Sequence, residues 1–248
     1  MFRDSIPGIN KIFDNDPPKG SIILVTGSAG TLKSSFIFSL MSAYLSKHQN
    51  EFAVYTTLEE TKENHLNNMQ SIGIKYSDNL KIYDIASFKS DIEFEDINYY
   101  IHQKDYIDLV LRGVFKFIKR NIPEKGNRNI VPEKKPCCYA LDSLNALYDL
   151  AKIDEKLIRQ KAQELFLNLR SSKITNFIIL ETAKESDLPE HYLADGIIEL
   201  GMHKDPSGVK RYIQVKKMKA VKHSLDPFVI DIAKGGGLTI VNPLLDHR

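Results

Sequence analysis

Hydrophobic positions along the chain fall into two alternating patterns. Short apolar runs, rich in β-branched residues, predict strands at 21–26, 52–56, 80–85, 137–141 and 176–180. Between these runs, apolar residues recur at helical spacing and predict helices after the first strand and over about 59–72, 105–120 and 153–170. Strands that alternate with helices favour an α/β fold, in which a mostly parallel sheet is covered by helices on both faces.

The pattern changes after residue 195. Four short apolar runs, separated by turns, predict strands at 197–200, 212–215, 228–232 and 238–241. We expect these strands to extend the same sheet in antiparallel fashion, because no linker separates them from the preceding segment. The chain is therefore predicted to be a single domain, residues 1–248, with an exposed loop at 122–136 that is rich in Pro, Gly, Asn and Lys.

Composition and charge exclude several classes of protein. Hydrophobic residues make up 42% of the chain and charged residues 27%, which is typical of a folded globular domain. The net charge of +2 does not demand a nucleic-acid or membrane partner. No apolar run approaches the roughly 18 residues of a membrane span, and the first residues do not resemble a signal peptide. The only cysteines, Cys137 and Cys138, are adjacent, so we expect a reducing cytoplasm.

The segment Gly27-Ser28-Ala29-Gly30-Thr31-Leu32-Lys33-Ser34-Ser35, which we call the phosphate loop, lies between the first strand and its helix. Glycines let successive backbone N–H groups curl around phosphate oxygens, and the N-terminus of the following helix favours an anion. Lys33 is predicted to reach the β- and γ-phosphates, and the Ser34 hydroxyl to bind Mg²⁺. The remaining nucleotide contacts are predicted for Ser28, Ala29, Gly30, Thr31, Leu32 and Ser35.

Leu32 departs from the usual pattern G-x-x-x-x-G-K-S/T, in which its position is a glycine. Glycine permits backbone angles and close approaches that leucine resists. The departure leaves open a protein that binds nucleotide as a scaffold and turns it over slowly.

Three carboxylates follow strands in the right order to join this loop. Asp142 ends the buried strand at 137–141 and is predicted to hold Mg²⁺. Glu59 and Glu60 follow the second strand, where a carboxylate can orient or deprotonate the attacking water. Thr57 and Glu60 also have the spacing of a capping box, so we expect Glu60 to serve the helix start and Glu59 to face the nucleotide.

With these elements in order, the chain resembles the KaiC-like branch of the RecA superfamily of ATPases. The likeness extends over nearly the whole chain, through the phosphate loop, Leu58-Glu59-Glu60-Thr61, Leu141-Asp142-Ser143, the segment 192–200 and the basic strand 211–219. The resemblance implies a RecA-like phosphate-loop NTPase fold with antiparallel C-terminal strands. It also implies hydrolysis of ATP to ADP and phosphate, with Mg²⁺ as the metal.

The resemblance also implies a ring of identical subunits, usually a hexamer. In relatives the basic strand faces the nucleotide of the neighbouring subunit, so Lys217 and Lys219 would act in trans, with His223 at the matching histidine. Ser71 would contact the nucleotide. Lys219 stands where an arginine is common, and lysine supplies a point charge without the planar fork of arginine.

Two basic segments raise a DNA-binding alternative. Residues 204–223 hold seven Lys or Arg against one acid, and residues 112–135 hold eight against two. Such clusters can follow a phosphate backbone, as in a recombinase-like accessory ATPase. A solvated face with nucleotide-facing residues is the favoured interpretation, because the net charge is near zero. The seven histidines show no ligand spacing, so no zinc site is expected.

Overall fold

A computed structural model describes residues 5–84, 135–151, 153–182, 188–206 and 208–244. The helix predicted over 105–120, nearly all of the basic segment 112–135 and most of the loop predicted over 122–136 lie outside these ranges. The two described residues of that loop, Lys135 and Pro136, belong to a strand instead, because their backbones pair with the start of the second strand.

Nine strands of the described residues form one sheet in the order β3-β2-β4-β5-β1-β6-β7-β8-β9. Every pair among β1 to β6 is parallel, and β6–β7, β7–β8 and β8–β9 are antiparallel. The strands are β1 Ile22–Gly27, β2 Glu51–Thr57, β3 Leu80–Tyr83, β4 Lys135–Asp142, β5 Thr175–Glu181, β6 Gly196–Asp205, β7 Gly208–Met218, β8 Phe228–Ile232 and β9 Leu238–Pro243.

The α-helices of the described residues are α1 Lys33–Lys47, α2 Lys62–Ser71, α3 Leu144–Ala151, α4 Ile158–Ser171 and α5 Pro189–Leu193. Single 3-10 turns lie at Ile9–Lys11 and Glu155–Leu157. Because the second turn occupies 155–157, α4 begins at Ile158 and not at the predicted residue 153. None of these helices is long and apolar enough to cross a membrane.

The sheet confirms the predicted α/β class with one difference at its C-terminal part. We expected all four strands after residue 195 to be antiparallel, but β6 runs parallel to β1, with Ile23 opposite Gly196. The reason is the connection: β6 follows β5 through a crossover that contains α5, and a crossover of this kind returns the chain in the same direction. Only β7, β8 and β9 are joined in the antiparallel manner of hairpins.

Both faces of the central strands are buried in separate hydrophobic cores. Along β1, Ile23 and Val25 enter one core, and Ile22 and Leu24 enter the other. Helix α1 packs in the first core, and α4 packs in the second through Ala162, Leu165 and Phe166. This arrangement explains why β1 is a continuous apolar run, as is usual for parallel strands covered on both sides.

The parallel arrangement brings four strand ends to one edge of the sheet. Strands β1, β2, β4 and β5 end at Gly27, Thr57, Asp142 and Glu181. In open α/β sheets, ligands bind outside the carboxyl ends of the strands. A ligand site is therefore expected at this edge of the sheet.

Candidate functional site

The phosphate loop is a tight turn that only particular residues can form. Gly27 has φ 145° and lies so close to the next strand that a Cβ atom would fall 2.0 Å from the Leu200 carbonyl oxygen. The loop closes on itself through the Ser28 carbonyl oxygen, which accepts a hydrogen bond from Thr31 Oγ1 at 2.8 Å. Helix α1 begins at Lys33, so the last three residues of the loop form its first turn and contribute its free N–H groups.

Leu32 adopts the left-handed conformation, with φ 71° and ψ 27°, at the N-cap of α1. This is the region of backbone space in which glycine is the usual residue. The leucine side chain, partly buried, packs against the first hydrophobic core. The departure from the glycine pattern therefore leaves the left-handed turn of the loop in place.

Lys33 is held inside the loop. Its side chain is 8% exposed, and Nζ donates to the Ser28 carbonyl oxygen at 2.7 Å. The same ammonium lies 3.7 Å from Glu181 Oε2, at the end of β5. A buried ammonium with such partners is already oriented toward the space above the loop, where an anion can be received.

Asp142 lies beside Ser34, as expected for a shared metal site. The Asp142 carboxylate is buried and accepts hydrogen bonds from Ser34 and from the Tyr55 hydroxyl, whose oxygen lies 2.5 Å from Oδ2. Burial raises the pKa of Asp142, and the hydrogen bonds from Tyr55 and Ser34 oppose that rise. Burial and the Asp142 charge hold the pKa of Tyr55 well above its ordinary value. The phenol therefore stays protonated and donates a hydrogen bond.

The residues present fit Mg²⁺. A hydroxyl and a carboxylate side by side are hard oxygen ligands, which this ion prefers. Among the described residues, no group of three or more His, Cys, Asp or Glu could hold a metal. Mg²⁺ commonly takes one or two protein ligands and fills its remaining positions with phosphate oxygens and water.

Glu59 is an exposed carboxylate that accepts a hydrogen bond from the Ser143 hydroxyl at Oε1. The Ser143 hydroxyl also accepts from the Ala146 backbone N–H at 3.2 Å, in the first turn of α3. Glu59 is thus tied to the strand end that carries Asp142.

A cavity of about 310 Å³ lies between the phosphate loop and these strand ends. It contains one cationic side chain and three carboxylates, so a polyanion with a divalent cation would complement it. Its lining residues are Ala29, Gly30, Leu32, Lys33, Ser34, Ser35, Glu59, Asp142, Ser143, Ile179 and Glu181. Seven of the predicted nucleotide or metal residues of the loop and strand β4 meet there, together with Glu59. Ser28 and Thr31 shape the loop beneath them.

The capping box predicted for Thr57 and Glu60 is wrong. Helix α2 begins at Lys62, and its N-cap is Thr61, whose hydroxyl accepts from the Asn64 N–H at 3.3 Å. Threonine at 61 is as good a cap as threonine at 57, and the later start leaves 58–60 as a turn. Glu60 does not line the cavity; its Oε1 lies 2.5 Å from His65 Nδ1, and its Oε2 accepts from Asn68 Nδ2 at 2.8 Å.

Ser71 and His223 do not line the cavity either. Ser71 is exposed at the end of α2, and its hydroxyl donates to the Asn68 carbonyl oxygen at 2.8 Å. His223 forms an isolated β-bridge with Phe13, and its Nδ1 lies 2.8 Å from the Val221 carbonyl oxygen. A nucleotide role for either residue stays a prediction.

Lys217 and Lys219 both contact groups of the chain itself. Strand β7 ends at Met218, so Lys217 belongs to the strand and Lys219 follows it. Lys219 Nζ lies 3.1 Å from Asp195 Oδ1, and Lys217 Nζ donates to the His191 carbonyl oxygen at 3.0 Å. The fold therefore supplies Lys219 with an acidic partner that lies 24 positions away in the sequence.

Both lysines lie at the end of the sheet opposite the phosphate loop. Asp195, the partner of Lys219, accepts a hydrogen bond from the Ile22 N–H, where β1 begins, whereas the phosphate loop follows Gly27, where β1 ends. A strand of six residues spans roughly 20 Å. The Lys219 ammonium is therefore too far away to contact the cavity of its own chain, and Lys217 lies opposite Ile197, near the start of β6.

Four residues at or beside the cavity were not predicted for it: Tyr55, Ser143, Glu181 and Arg211. Glu181 ends a buried strand as Asp142 does, and the same end-of-strand rule could have found it. Arg211 Nε donates to the Gly30 carbonyl oxygen at 3.1 Å, across 181 positions of sequence. No local sequence signal reports that contact or the one between Tyr55 and Asp142.

Comparison with known proteins agrees with this geometry. The family model described as "ATPase: KaiC" matches residues 3–244. The chain belongs to the KaiC ATPase family. Membership in the KaiC family supports nucleotide binding and suggests ATPase activity.

Similar proteins cover almost the whole KaiC-family chain. A UPF0273 protein of Thermotoga maritima is 25% identical over 240 residues, which covers 94% of this chain and 93% of the relative. A UPF0273 protein of Pyrococcus furiosus is 23% identical over 241 residues, covering 94% and 91%. The crystal structure of a KaiC-like protein from Pyrococcus horikoshii OT3 has a TM-score of 0.75 and 22% identity, over 97% of this chain and 98% of that one, which establishes the fold.

Proposed function

We propose that this protein binds ATP with Mg²⁺ and hydrolyses it to ADP and phosphate. The observation that carries the proposal is the convergence of Lys33, Ser34, Asp142 and Glu59 on one cavity at the carboxyl end of the sheet. A cation, a hydroxyl–carboxylate pair and an exposed carboxylate are the parts that phosphoryl transfer to water requires.

Each side chain has a distinct task in this proposal. Lys33 exchanges its hydrogen bond with the Ser28 carbonyl for one with a phosphate oxygen, which gains a charge-assisted contact. Ser34 and Asp142 hold the metal, which supplies charge neutralisation at the phosphates when bound. Glu59 orients the attacking water and accepts its proton as the water oxygen bonds to the γ-phosphorus and ADP leaves.

We also propose that subunits assemble head to tail in a ring, with Lys217 and Lys219 acting on the nucleotide of the neighbour. Their position at the far end of the sheet supports this, since a head-to-tail contact would bring that end against another chain's cavity. To act there, Lys219 would exchange Asp195 for a phosphate of the neighbour. His223, four residues after Lys219, would join the same interface. A hexamer and a cytoplasmic location belong to the same proposal.

Two other functions receive less support from the geometry. A DNA-binding accessory would use the basic segment 204–223, but several of its cations contact groups of the chain itself: Arg211 binds the Gly30 carbonyl, and Lys216, Lys219 and Lys222 lie within 3.7 Å of Glu199, Asp195 and Asp14. A low-turnover scaffold was suggested by Leu32, whose backbone nevertheless has the left-handed turn that glycine would supply.

One experiment separates these functions. Phosphate release is measured for the wild type and Lys33→Ala, with and without single-stranded DNA, and ATP binding is measured by calorimetry. The proposal expects turnover without DNA and a large loss of ATP affinity in Lys33→Ala at unchanged thermal stability. Turnover that requires DNA would favour the accessory, binding without turnover would favour the scaffold, and unchanged affinity in Lys33→Ala would refute the site.

A further inference from the structure

The hydroxyl of Tyr55 is directed at one oxygen of Asp142 from inside the sheet. Tyr55 lies in β2 opposite Ala140 of β4, and Thr57 lies opposite Asp142, so Tyr55 and Asp142 are diagonal neighbours on one face. An aromatic side chain can span such a diagonal. Tyr55 is fully buried, and its hydroxyl donates to Asp142 Oδ2 at 2.5 Å.

The ring of Tyr55 is held in place from two helices. Phe38 of α1 packs against it edge to face, with ring centroids 5.7 Å apart. His65 of α2 packs against it at 4.8 Å, and His65 is itself fixed by Glu60. The phenol therefore has little freedom to leave Asp142.

A phenylalanine would fill nearly the same volume without a polar atom to satisfy. A buried hydroxyl is costly unless it forms hydrogen bonds, and this one donates to the Asp142 carboxylate and accepts from the Ser34 hydroxyl. A carboxylate held at one oxygen cannot rotate freely, so its other oxygen keeps a constant direction relative to Ser34 and the cavity. The hydroxyl thus contributes orientation in addition to packing.

We propose that Tyr55 is a positioning residue, which orients the Asp142 carboxylate for the divalent cation that accompanies the nucleotide. This inference rests on the proposed function, because it requires a metal at Ser34 and Asp142. It assigns to Glu60 and His65 a place behind the site, as the support of the Tyr55 ring.

The test measures how much Mg²⁺ tightens nucleotide binding, as the ratio of the ATP dissociation constant in EDTA to that in saturating Mg²⁺. Tyr55→Phe is expected to reduce this ratio about tenfold, in line with the loss of one charge-assisted hydrogen bond, and to leave the affinity in EDTA unchanged. A packing defect would instead weaken binding in both conditions.

Tyr139→Phe is the matched control. Tyr139 is a buried tyrosine of the neighbouring strand β4, but it packs in the core on the opposite face of the sheet. The substitution removes the same atom from a similar environment and should leave the ratio as it is in the wild type. An equal reduction in both variants would overturn the proposal.

A double-mutant cycle completes the design. Asp142→Asn is expected to abolish the effect of Mg²⁺, and adding Tyr55→Phe should cause no further loss if Tyr55 acts through Asp142. A wild type without any Mg²⁺ effect would refute the proposed function together with this inference. A wild type with the effect and an unaltered Tyr55→Phe would refute Tyr55 alone. A Tyr55→Phe protein that fails to fold would also refute it, because the hydroxyl would then be a requirement of the fold.

Discussion

Leu32 holds a left-handed backbone at a cost that glycine would avoid. We predict that Leu32→Gly changes the free energy of unfolding by less than about 1 kcal/mol, because relief of roughly 1 kcal/mol of backbone strain is offset by the lost packing and by a more flexible unfolded chain. Turnover should stay within about twofold. Denaturant unfolding and phosphate release check both values.

Leu32→Ala is the control for this substitution. It keeps the left-handed strain and removes most of the packing, so it should be less stable than Leu32→Gly. A several-fold increase in turnover from Leu32→Gly would show that the leucine obstructs the nucleotide.

Glu59 and Glu60 are adjacent in sequence, but their side chains have different surroundings. Glu59→Gln is predicted to bind ATP and lose on the order of a hundredfold in turnover, since a general base is removed from the cavity. Glu60→Gln should lose only a few-fold, because Glu60 contacts His65 and Asn68 instead of the cavity. Single-turnover hydrolysis compares the two variants, and equal losses would contradict the division.

Sequence patterns identify a residue well when its task is local. Lys33 and Ser34 follow from the order of residues in one turn, and Asp142 follows from its place at the end of a buried strand. Tyr55 could not be found this way, because its contact with Asp142 joins residues 87 positions apart. Glu60 was misjudged because two threonines, Thr57 and Thr61, each offered a cap, and only the packed turn decides between them.

At the scale of elements, the end of α2 and the turn between β8 and β9 contact each other through the backbone atoms of two glycines, Gly73 and Gly236. A Cβ atom on Gly73 would fall 2.4 Å from the Gly236 Cα atom, and Gly73 has φ 74°. Gly73→Ala is predicted to lower the free energy of unfolding by more than about 2 kcal/mol, through strain and overpacking together. Thermal and denaturant unfolding measure the loss.

Gly20→Ala separates the two causes. Gly20 has φ 84°, but the nearest atom to its Cβ position is 3.6 Å away. Gly20→Ala should therefore lower the free energy of unfolding only through the strain of the left-handed backbone, by about 1 kcal/mol. If the two variants were equally stable, the contact between α2 and the turn would be looser than described.

The start of β1 is tied to α4 and the end of β7 through Asp195. Burial raises the pKa of Asp195, but hydrogen bonds from the Ile22 N–H, Lys219 and Arg170 outweigh it, so the net pKa is lowered. The stability from this carboxylate is therefore present above its unfolded pKa of about 3.9 and is lost as the pH falls through the folded value. Asp195→Asn is predicted to cost about 1–3 kcal/mol at pH 7, and progressively less as the pH falls below about 3.9 and through the folded pKa.

Thermal unfolding of both proteins across pH 3–8 checks this prediction. Asp149→Asn, at an exposed position of α3, serves as the control and should follow the wild type. A difference between Asp195→Asn and the wild type that persisted undiminished at low pH would show that the charge of Asp195 is not its source.

The elements themselves were predicted best where a long apolar run or a clear helical period existed. Strand β8 lies where it was expected, and α1 follows the first strand as predicted. Helix α3 was missed because its eight residues give little more than two turns of periodicity. The direction of β6 depends on the crossover through α5, a helix of five residues whose pattern is too short to recognise.

At the scale of the whole molecule, the proposed action of Lys217 and Lys219 on a neighbour's nucleotide predicts complementation between inactive variants. Lys33→Ala and the double variant Lys217→Ala/Lys219→Ala should each be inactive alone. Mixed, they should recover part of the turnover, because some rings pair an intact phosphate loop with intact neighbouring lysines. Phosphate release and native mass spectrometry of the mixture give the measurement. Mixed rings without recovery would rule out the arrangement in trans.

The position of Lys219 at the start of β1, roughly one strand length from the phosphate loop, has a consequence for abundance. If the lysines act in trans as proposed, a solitary chain binds its nucleotide but does not complete the reaction, and the rate per molecule depends on how often chains meet. Dilution of the protein at constant ATP would then abolish hydrolysis. The total rate of hydrolysis would increase more steeply than in proportion to the protein concentration. The level of expression would act as a threshold, below which nucleotide is bound and preserved and above which it is consumed.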